Sequence, residues 1–228
     1  MATTESSSAA SNLAPLQAAL GPGPTVLGAT FQWPWDIAKK GGELFSQVSG
    51  VASTLASSAQ SVVTSPSGAT ILANVAADPR NSTNTEQVLN SGLFGPAINA
   101  VKADSLLRTM FIGWSGGAQV GLFGGGGGSG VASDLINPNA KSPVGYGMFK
   151  LGIGAQVTVG LLVGAMAVEP AQLNSSTCVF EFGAGLMGIG TFVQVIMTDR
   201  LDLLGFTVNV GAGGGLSSAT GYGSISAG

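Results

Sequence analysis

The sequence predicts an α+β protein: an N-terminal arm and short helices, followed by an antiparallel glycine-rich β barrel or sandwich. Three observations lead there. One apolar stripe with helical spacing lies in the first hundred residues. A period of two runs through the most apolar stretch of the chain. Glycine-laced apolar segments then recur to the C-terminus.

The arm comes first. Residues 1–30 are rich in Ser, Ala, Gly and Pro and carry no hydrophobic period. Trp33-Pro34-Trp35 sets two large aromatics around a proline, which predicts a compact docking element at the end of an arm placed at 1–41. The helical segment is placed at 42–108. Within it Leu44, Val48, Val51 and Leu55 fall on one helical stripe over 42–64, and Pro66 marks a stop. A short helix is expected over 69–77. Thr83 and Glu86 resemble a capping box before Val88, Leu89 and Leu93, and a further turn or two is expected between Ile98 and Leu107. The stripe is expected to be buried within the molecule. Helices that lie on membranes usually carry Lys and Arg on their polar face, and residues 44–64 contain neither.

The β domain is placed at 109–228. Met148–Val168 is long and apolar enough to raise the question of a membrane-spanning helix. Its finer pattern answers it. Leu151, Ile153, Ala155, Val157, Val159, Leu161 and Val163 occupy odd positions, while Gly152, Gly154, Gln156, Thr158, Gly160 and Gly164 occupy even ones. That is a strand with one large-residue face and one small or polar face. The same texture opens with Met-Phe at 110 and at 148, and Gly-Ala-Gln-Val recurs at 117–120 and 154–157. Two further segments, 178–197 and 206–216, repeat it. The Gly124–Gly128 run, Asn137-Pro138-Asn139, Pro143, Pro170 and Asn174-Ser175-Ser176 read as connections.

Composition narrows the function. Of 228 residues, 37 are glycine and 8% are charged, against about 25% charged in ordinary globular chains. So little charge predicts a surface covered by lipid, by copies of the chain or by another partner. A net charge of −3 offers no basic footprint for nucleic acid. With no histidine and one cysteine, the Ser-His-Asp triad, the Cys-His dyad and the usual zinc sites are excluded. Cys178 reads as a small buried hydrophobe. The glycine run lacks the Lys-Ser/Thr of a phosphate-binding loop and reads as a flexible turn. Asp199-Arg200-Leu201-Asp202 reads as a polar turn rather than a carboxylate pair or cation site. Trp114, a lone strand aromatic, belongs with the core more often than with a ligand platform. It joins Trp33 and Trp35 as an interface candidate. No basic n-region or continuous apolar h-region of a secretion signal is seen, so a cytoplasmic or membrane-peripheral setting is expected.

GGGGGSGV at 124–131, Ser142-Pro143, GIGAQVTVG at 152–160, VIMTDRLDLL at 195–204 and VNVGAGGGL at 208–216 together resemble the SYLF domain over about 109–216, with an extra segment at 165–190. The resemblance implies phosphoinositide and membrane binding. It would make Lys141, Lys150 and Arg200 the lipid-headgroup contacts. A looser likeness, through the alternating glycine-rich strands, is to the small β-barrels of virulence-associated proteins. The function expected is that of a non-catalytic structural protein, without cofactor or metal, that self-associates through low-charge apolar surface. The alternative is a SYLF-like lipid or membrane binder.

Overall fold

The structure is a computed structural model that describes residues 25–26, 29–30, 32–186 and 188–228. The arm expected over 1–30 lies outside the described residues, apart from β1 (Thr25–Val26) and β2 (Ala29–Thr30), which pair antiparallel.

Four helices follow: α1 (Pro34–Thr64), α2 (Pro66–Ala77), α3 (Ser82–Leu89) and α4 (Gly95–Ala103). Helix α1 begins at Pro34, well before the expected boundary at 42. Pro34 sits in its first turn, where a missing N–H costs nothing. Asp36 follows in the same turn, where negative charge is favoured. Trp33-Pro34-Trp35 is therefore a helix start. The stripe is as expected: Leu44, Val48 and Leu55 are buried and Val51 partly so. Ser65 ends α1, and its hydroxyl accepts from the Gly68 amide at 3.0 Å, a side-chain cap for α2. The cap of α3 is Asn81, whose side chain accepts from the Thr83 amide at 3.0 Å. Thr83 is thus inside the helix, and the expected capping box is absent. Glu86 instead pairs with Lys141.

Six long strands complete the chain: β3 (Thr109–Val120), β4 (Phe123–Asp134), β5 (Lys141–Met166), β6 (Ser175–Leu186), β7 (Ile189–Thr198) and β8 (Leu203–Ala227). Met148–Met166 belongs to β5, and among the described residues no helix is long and apolar enough to cross a membrane. The sheet is antiparallel throughout, in the order β3-β4-β5-β8-β6-β7, with β3–β5 and β8–β7 also paired. Strands β5 and β8 are long, bent and paired from Val144↔Ala227 to Met166↔Gly205. Strand β5 wraps the β3–β4 hairpin, its first half on β4 and its second on β3. Strand β8 wraps the β6–β7 hairpin in the same way. Followed from neighbour to neighbour, the ladder returns to β3, so the curled sheet closes on itself. The bends are glycine: Gly154 takes φ 136° and Gly215 φ 113°, where a side chain is strained.

The Gly124–Gly128 run is strand, not turn. It pairs with β3 on one side and β5 on the other. Glycine is needed because neighbours crowd its inner face: a Cβ on Gly128 would lie 2.6 Å from the Trp114 carbonyl oxygen and 2.8 Å from the Tyr146 ring. The two Gly-Ala-Gln-Val copies occupy matched positions, with Gln119 directly opposite Gln156. The Asp199–Asp202 stretch is a turn, as expected. Thr198 Oγ1 accepts from the Arg200 and Asp202 amides within it.

The helices cover one outer side of the sheet. Val48, Leu55 and Val62 of α1 and Val101 of α4 meet Ile112, Leu161, Val163, Phe206 and Val208. Further along, Ile37 and Leu44 pack on Cys178, Val195 and Met197, and the Phe45 ring meets Phe182 edge-on at 4.6 Å. Trp114 is partly buried against the helix-covered core, which gives it a packing role. Inside the sheet, at the end away from the β3–β4 and β6–β7 tips, Phe111, Val144, Leu162, Met166 and Ile196 form a second apolar cluster.

That same end carries an ionic clasp. Asp134 Oδ1 accepts from the Ile136 and Asn137 amides at 2.7 and 3.2 Å, and Oδ2 meets Arg108 at 2.6 Å. Arg108 also reaches Glu169 at 2.9 Å. Burial pushes the Asp134 carboxyl up, but the two amides and the Arg108 guanidinium outweigh it and hold the group below its ordinary value, since hydrogen bonds and positive charge favour the ionised form. A depressed folded-state value means that the contribution is present above the ordinary carboxylate range and is lost as pH falls through the folded-state value. Asp134→Asn is expected to cost about 1.5–3 kcal/mol at neutral pH, the range for hydrogen bonds to charged groups, and to flatten the acid limb of stability. Urea unfolding at neutral and acid pH measures this; an equal loss at every pH contradicts it.

Candidate functional site

Alternation along closed strands gives every residue an inner or an outer position. Around the hairpin tips this produces an unusual division. The inner face is polar and the outer face is apolar.

Inside, Lys150 of β5 and Glu181 of β6 form an ion pair at 2.7 Å, each side chain 2% exposed. Gln156 Nε2 donates to the same Glu181 oxygen at 2.5 Å, and Gln194 Nε2 donates to the other at 2.5 Å. Ser217 Oγ donates to Gln156 Oε1 at 2.6 Å, and Thr207 Oγ1 donates to Gln194 Oε1 at 3.0 Å. Both carboxylate oxygens are thus engaged, as a buried charge requires. Beside the pair is a void of about 10 Å³ bounded by Ser115, Tyr146, Lys150, Glu181, Gln194 and Asn209. That is about the room one water needs, and no substrate fits. The β4 glycines make this interior possible: a Cβ on Gly128 would crowd the Tyr146 ring, and one on Gly124 would collide with Gln119 Oε1.

Lys150 is therefore enclosed and cannot reach a lipid headgroup, a correction to the expectation from sequence. Its partner, 31 residues away, has no local signature. Lys141 is at the surface but paired with Glu86, and Arg200 lies in the exposed β7–β8 turn. Both sit at the end of the sheet opposite the hairpin tips. Trp33 and Trp35 stack on each other at 5.0 Å beside the start of α1. The six residues singled out from sequence are not brought together. Among the described residues no group of three or more His, Cys, Asp or Glu is placed to hold a metal ion. Burial, and then the charge of Asp199, pushes the Cys178 thiol up to about 11, which keeps it from forming a reactive thiolate.

Outside, the surface around the tips is apolar and exposed. Val120, Leu122 and Phe123 form the β3–β4 tip at 73%, 64% and 61% exposure. Phe149, Ile153, Val157 and Val159 follow on the outer face of β5, Leu216 on β8 and Ile189 at the β6–β7 tip, all 42–71% exposed. The register makes them neighbours: Val120 pairs with Ala155, Ala155 with Leu216, and Val159 and Ile189 both face Ala212. Within the six long strands the charged residues are Asp134, Lys141, Lys150 and Glu181. The first two lie at the far end and the last two inside, so no charged side chain of these strands joins this outer surface. Nine side chains each exposing on the order of 100 Å² give about 900 Å², above the ~300–600 Å² of the largest patch on a typical monomer. Sequence reasoning had the alternation that encodes this surface, but the pattern alone does not say which face is turned outward.

The interior gives a direct test. Removing one partner of a buried pair leaves the other charge uncompensated, at about 3–5 kcal/mol. Lys150→Met and Glu181→Gln are each expected to lose that much in urea unfolding. The double variant is expected to recover part of it, with a coupling of about 1–3 kcal/mol. Additive losses would show that the pair does not act as a unit.

No family model matches the chain, and no curated protein matches it. Among solved structures, the virulence-associated protein VapD from Rhodococcus equi is similar at a TM-score of 0.37 and 15% identity, over 52% of this chain and 99% of VapD. The likeness is weak and covers half the chain.

Proposed function

We propose that this chain is a non-catalytic structural protein that self-associates, and that its uncharged barrel end is the surface through which copies meet. One observation carries the reading: nine large apolar side chains, 42–73% exposed, lie together on strands whose charged residues are inside or at the far end. Their area of about 900 Å² compares with the ~800 Å² per partner of a standard protein interface. Most of the backbone beneath them is already paired on both sides, so burial strands few N–H or C=O groups.

The SYLF-like alternative would place the same surface on a lipid membrane. An apolar outer face over a polar interior is also the arrangement of barrels in lipid. Against that, the basic residues the resemblance would assign to headgroups are enclosed or at the far end, which leaves the apolar end no attraction for anionic lipid. This favours the second copy.

Light scattering after size exclusion, over a range of concentrations, is the test. A defined, concentration-dependent assembly is expected. The probe is Val157→Glu, on the outer face at 59% exposure. It is expected to weaken assembly by tenfold or more, about 1.4 kcal/mol, with an unchanged circular dichroism spectrum. A monomer at all concentrations that floats with vesicles would move the assignment to lipid.

A further inference from the structure

The uncharged end is not uniform. It carries a knob and a hollow. The knob is the β3–β4 tip. Val120 pairs with Phe123, leaving Gly121 and Leu122 as a two-residue turn. Gly121 takes φ 62°, which suits the first position of a II′ turn, where glycine is preferred. Leu122 fills the second position and projects, with Phe123 beside it. Hairpin turns are usually made of Gly, Asn, Asp or Ser, whereas here a leucine projects, 64% exposed among the described residues.

The hollow lies among Ile153, Phe182, Ala184 and Leu216, with Ser217 and Ser218 on its wall. Its volume is about 600 Å³, and its lining is almost wholly apolar. That falls within the ~300–1,000 Å³ of sites that bury a compact apolar group, and it exceeds what one side chain fills.

The ladder fixes how far apart the two are. The Gly152 amide donates to the Leu122 carbonyl at 3.1 Å, so the tip lies against the β5 bend. Ile153 pairs with Ser218 on β8, and Ala184 of β6 pairs with Leu216. At about 4.8 Å between neighbouring strands, the hollow begins roughly 5–10 Å from the knob, on the same face. A knob and a hollow side by side on one face are what a two-fold contact requires. Two copies face each other, each knob enters the other's hollow, and assembly stops at two. A knob and hollow on opposite faces would instead build an open chain.

We infer that two copies dock reciprocally, with Leu122 and Phe123 of one seated in the Ile153–Phe182–Ala184–Leu216 hollow of the other. This rests on the self-association proposed above and specifies its geometry. Both surfaces are uncharged, so docking desolvates no ion. The two contacts form together, which makes the interface all-or-none.

Cross-linking between distinct copies tests it. Two full-length proteins in a Cys178→Ala background carry Leu122→Cys and Ser218→Cys respectively, and only one is tagged. They are mixed at a concentration where light scattering reports assembly and are then mildly oxidised. A control pair replaces Ser218→Cys with Ser105→Cys, exposed at the charged end. Bridging needs Cα atoms within about 7 Å, so the Leu122–Ser218 mixed disulfide should form at roughly ten times the control yield or more. A second measurement keeps the outcome clear: Ala184→Trp, which fills the hollow, should abolish the mixed disulfide while circular dichroism and urea unfolding stay native. If copies assemble but the mixed disulfide stays at the control level, reciprocal docking is wrong and self-association stands. If the full chain remains monomeric throughout, both fall. Flotation with phosphatidylcholine vesicles, lost in Leu122→Asp, would then assign the same face to lipid.

Discussion

The buried pair of Lys150 and Glu181 is the constraint around which the rest is arranged. A charge pair this enclosed survives only if the carboxylate's remaining lone pairs are met; Gln156 and Gln194 meet them, and Ser217 and Thr207 hold those two amides in place. Those residues take the inner positions on three strands. Successive residues of a strand point to opposite faces, so the residues between them point the other way. The large apolar side chains of 149–159 therefore point outward because the polar ones point inward. Hydrophobicity of the surface at this end is the counterpart of polarity within.

The two ends of the sheet solve the same packing problem in opposite ways. Toward Arg108 and Asp134 the interior is filled by Phe111, Leu162 and Met166, and the helices α1 to α4 screen an outer side. Around the hairpin tips the strand pairs are rich in glycine, and one lysine, one glutamate and their amide partners fill the interior. Helix α1 has 31 residues. At a rise of about 1.5 Å per residue it is roughly 46 Å long, and it spans part of both regions. Its Phe45 contact with Phe182 marks where the cover stops and the open apolar surface begins.

Much of this organisation was legible. The period of two settled 148–166 as strand, and the Met-Phe and Gly-Ala-Gln-Val repeats marked Gln119 and Gln156 as equivalents. Errors came where local preference and tertiary demand part. Five consecutive glycines prefer a turn, yet the chain needs them flat between β3 and β5, where Gln119 crowds Gly124 and Tyr146 crowds Gly128. Pro34 looks like a break but sits in the one helical turn that tolerates it. Lys150 reads as a headgroup contact through the SYLF resemblance, and nothing local marks it as enclosed; its partner comes from the β6–β7 hairpin. The outward turn of the apolar face depends on which side of the sheet became the inside, a global fact that no local pattern carries.

The closed ladder has a consequence for how such a sequence avoids self-damage. Glycine-rich, β-prone segments with little charge are those most apt to add strands to one another, and an unpaired edge is where that begins. Here the segments of the six long strands are hydrogen-bonded on both flanks, by β5 around one hairpin and β8 around the other. Along these six strands, neighbouring molecules find side chains to touch and little free backbone edge to copy. Growth by templating on these strands is thereby hindered once they are folded, and their vulnerable moment is synthesis: β3 and β4 emerge before the half of β5 that covers β3, and β6 and β7 wait for β8.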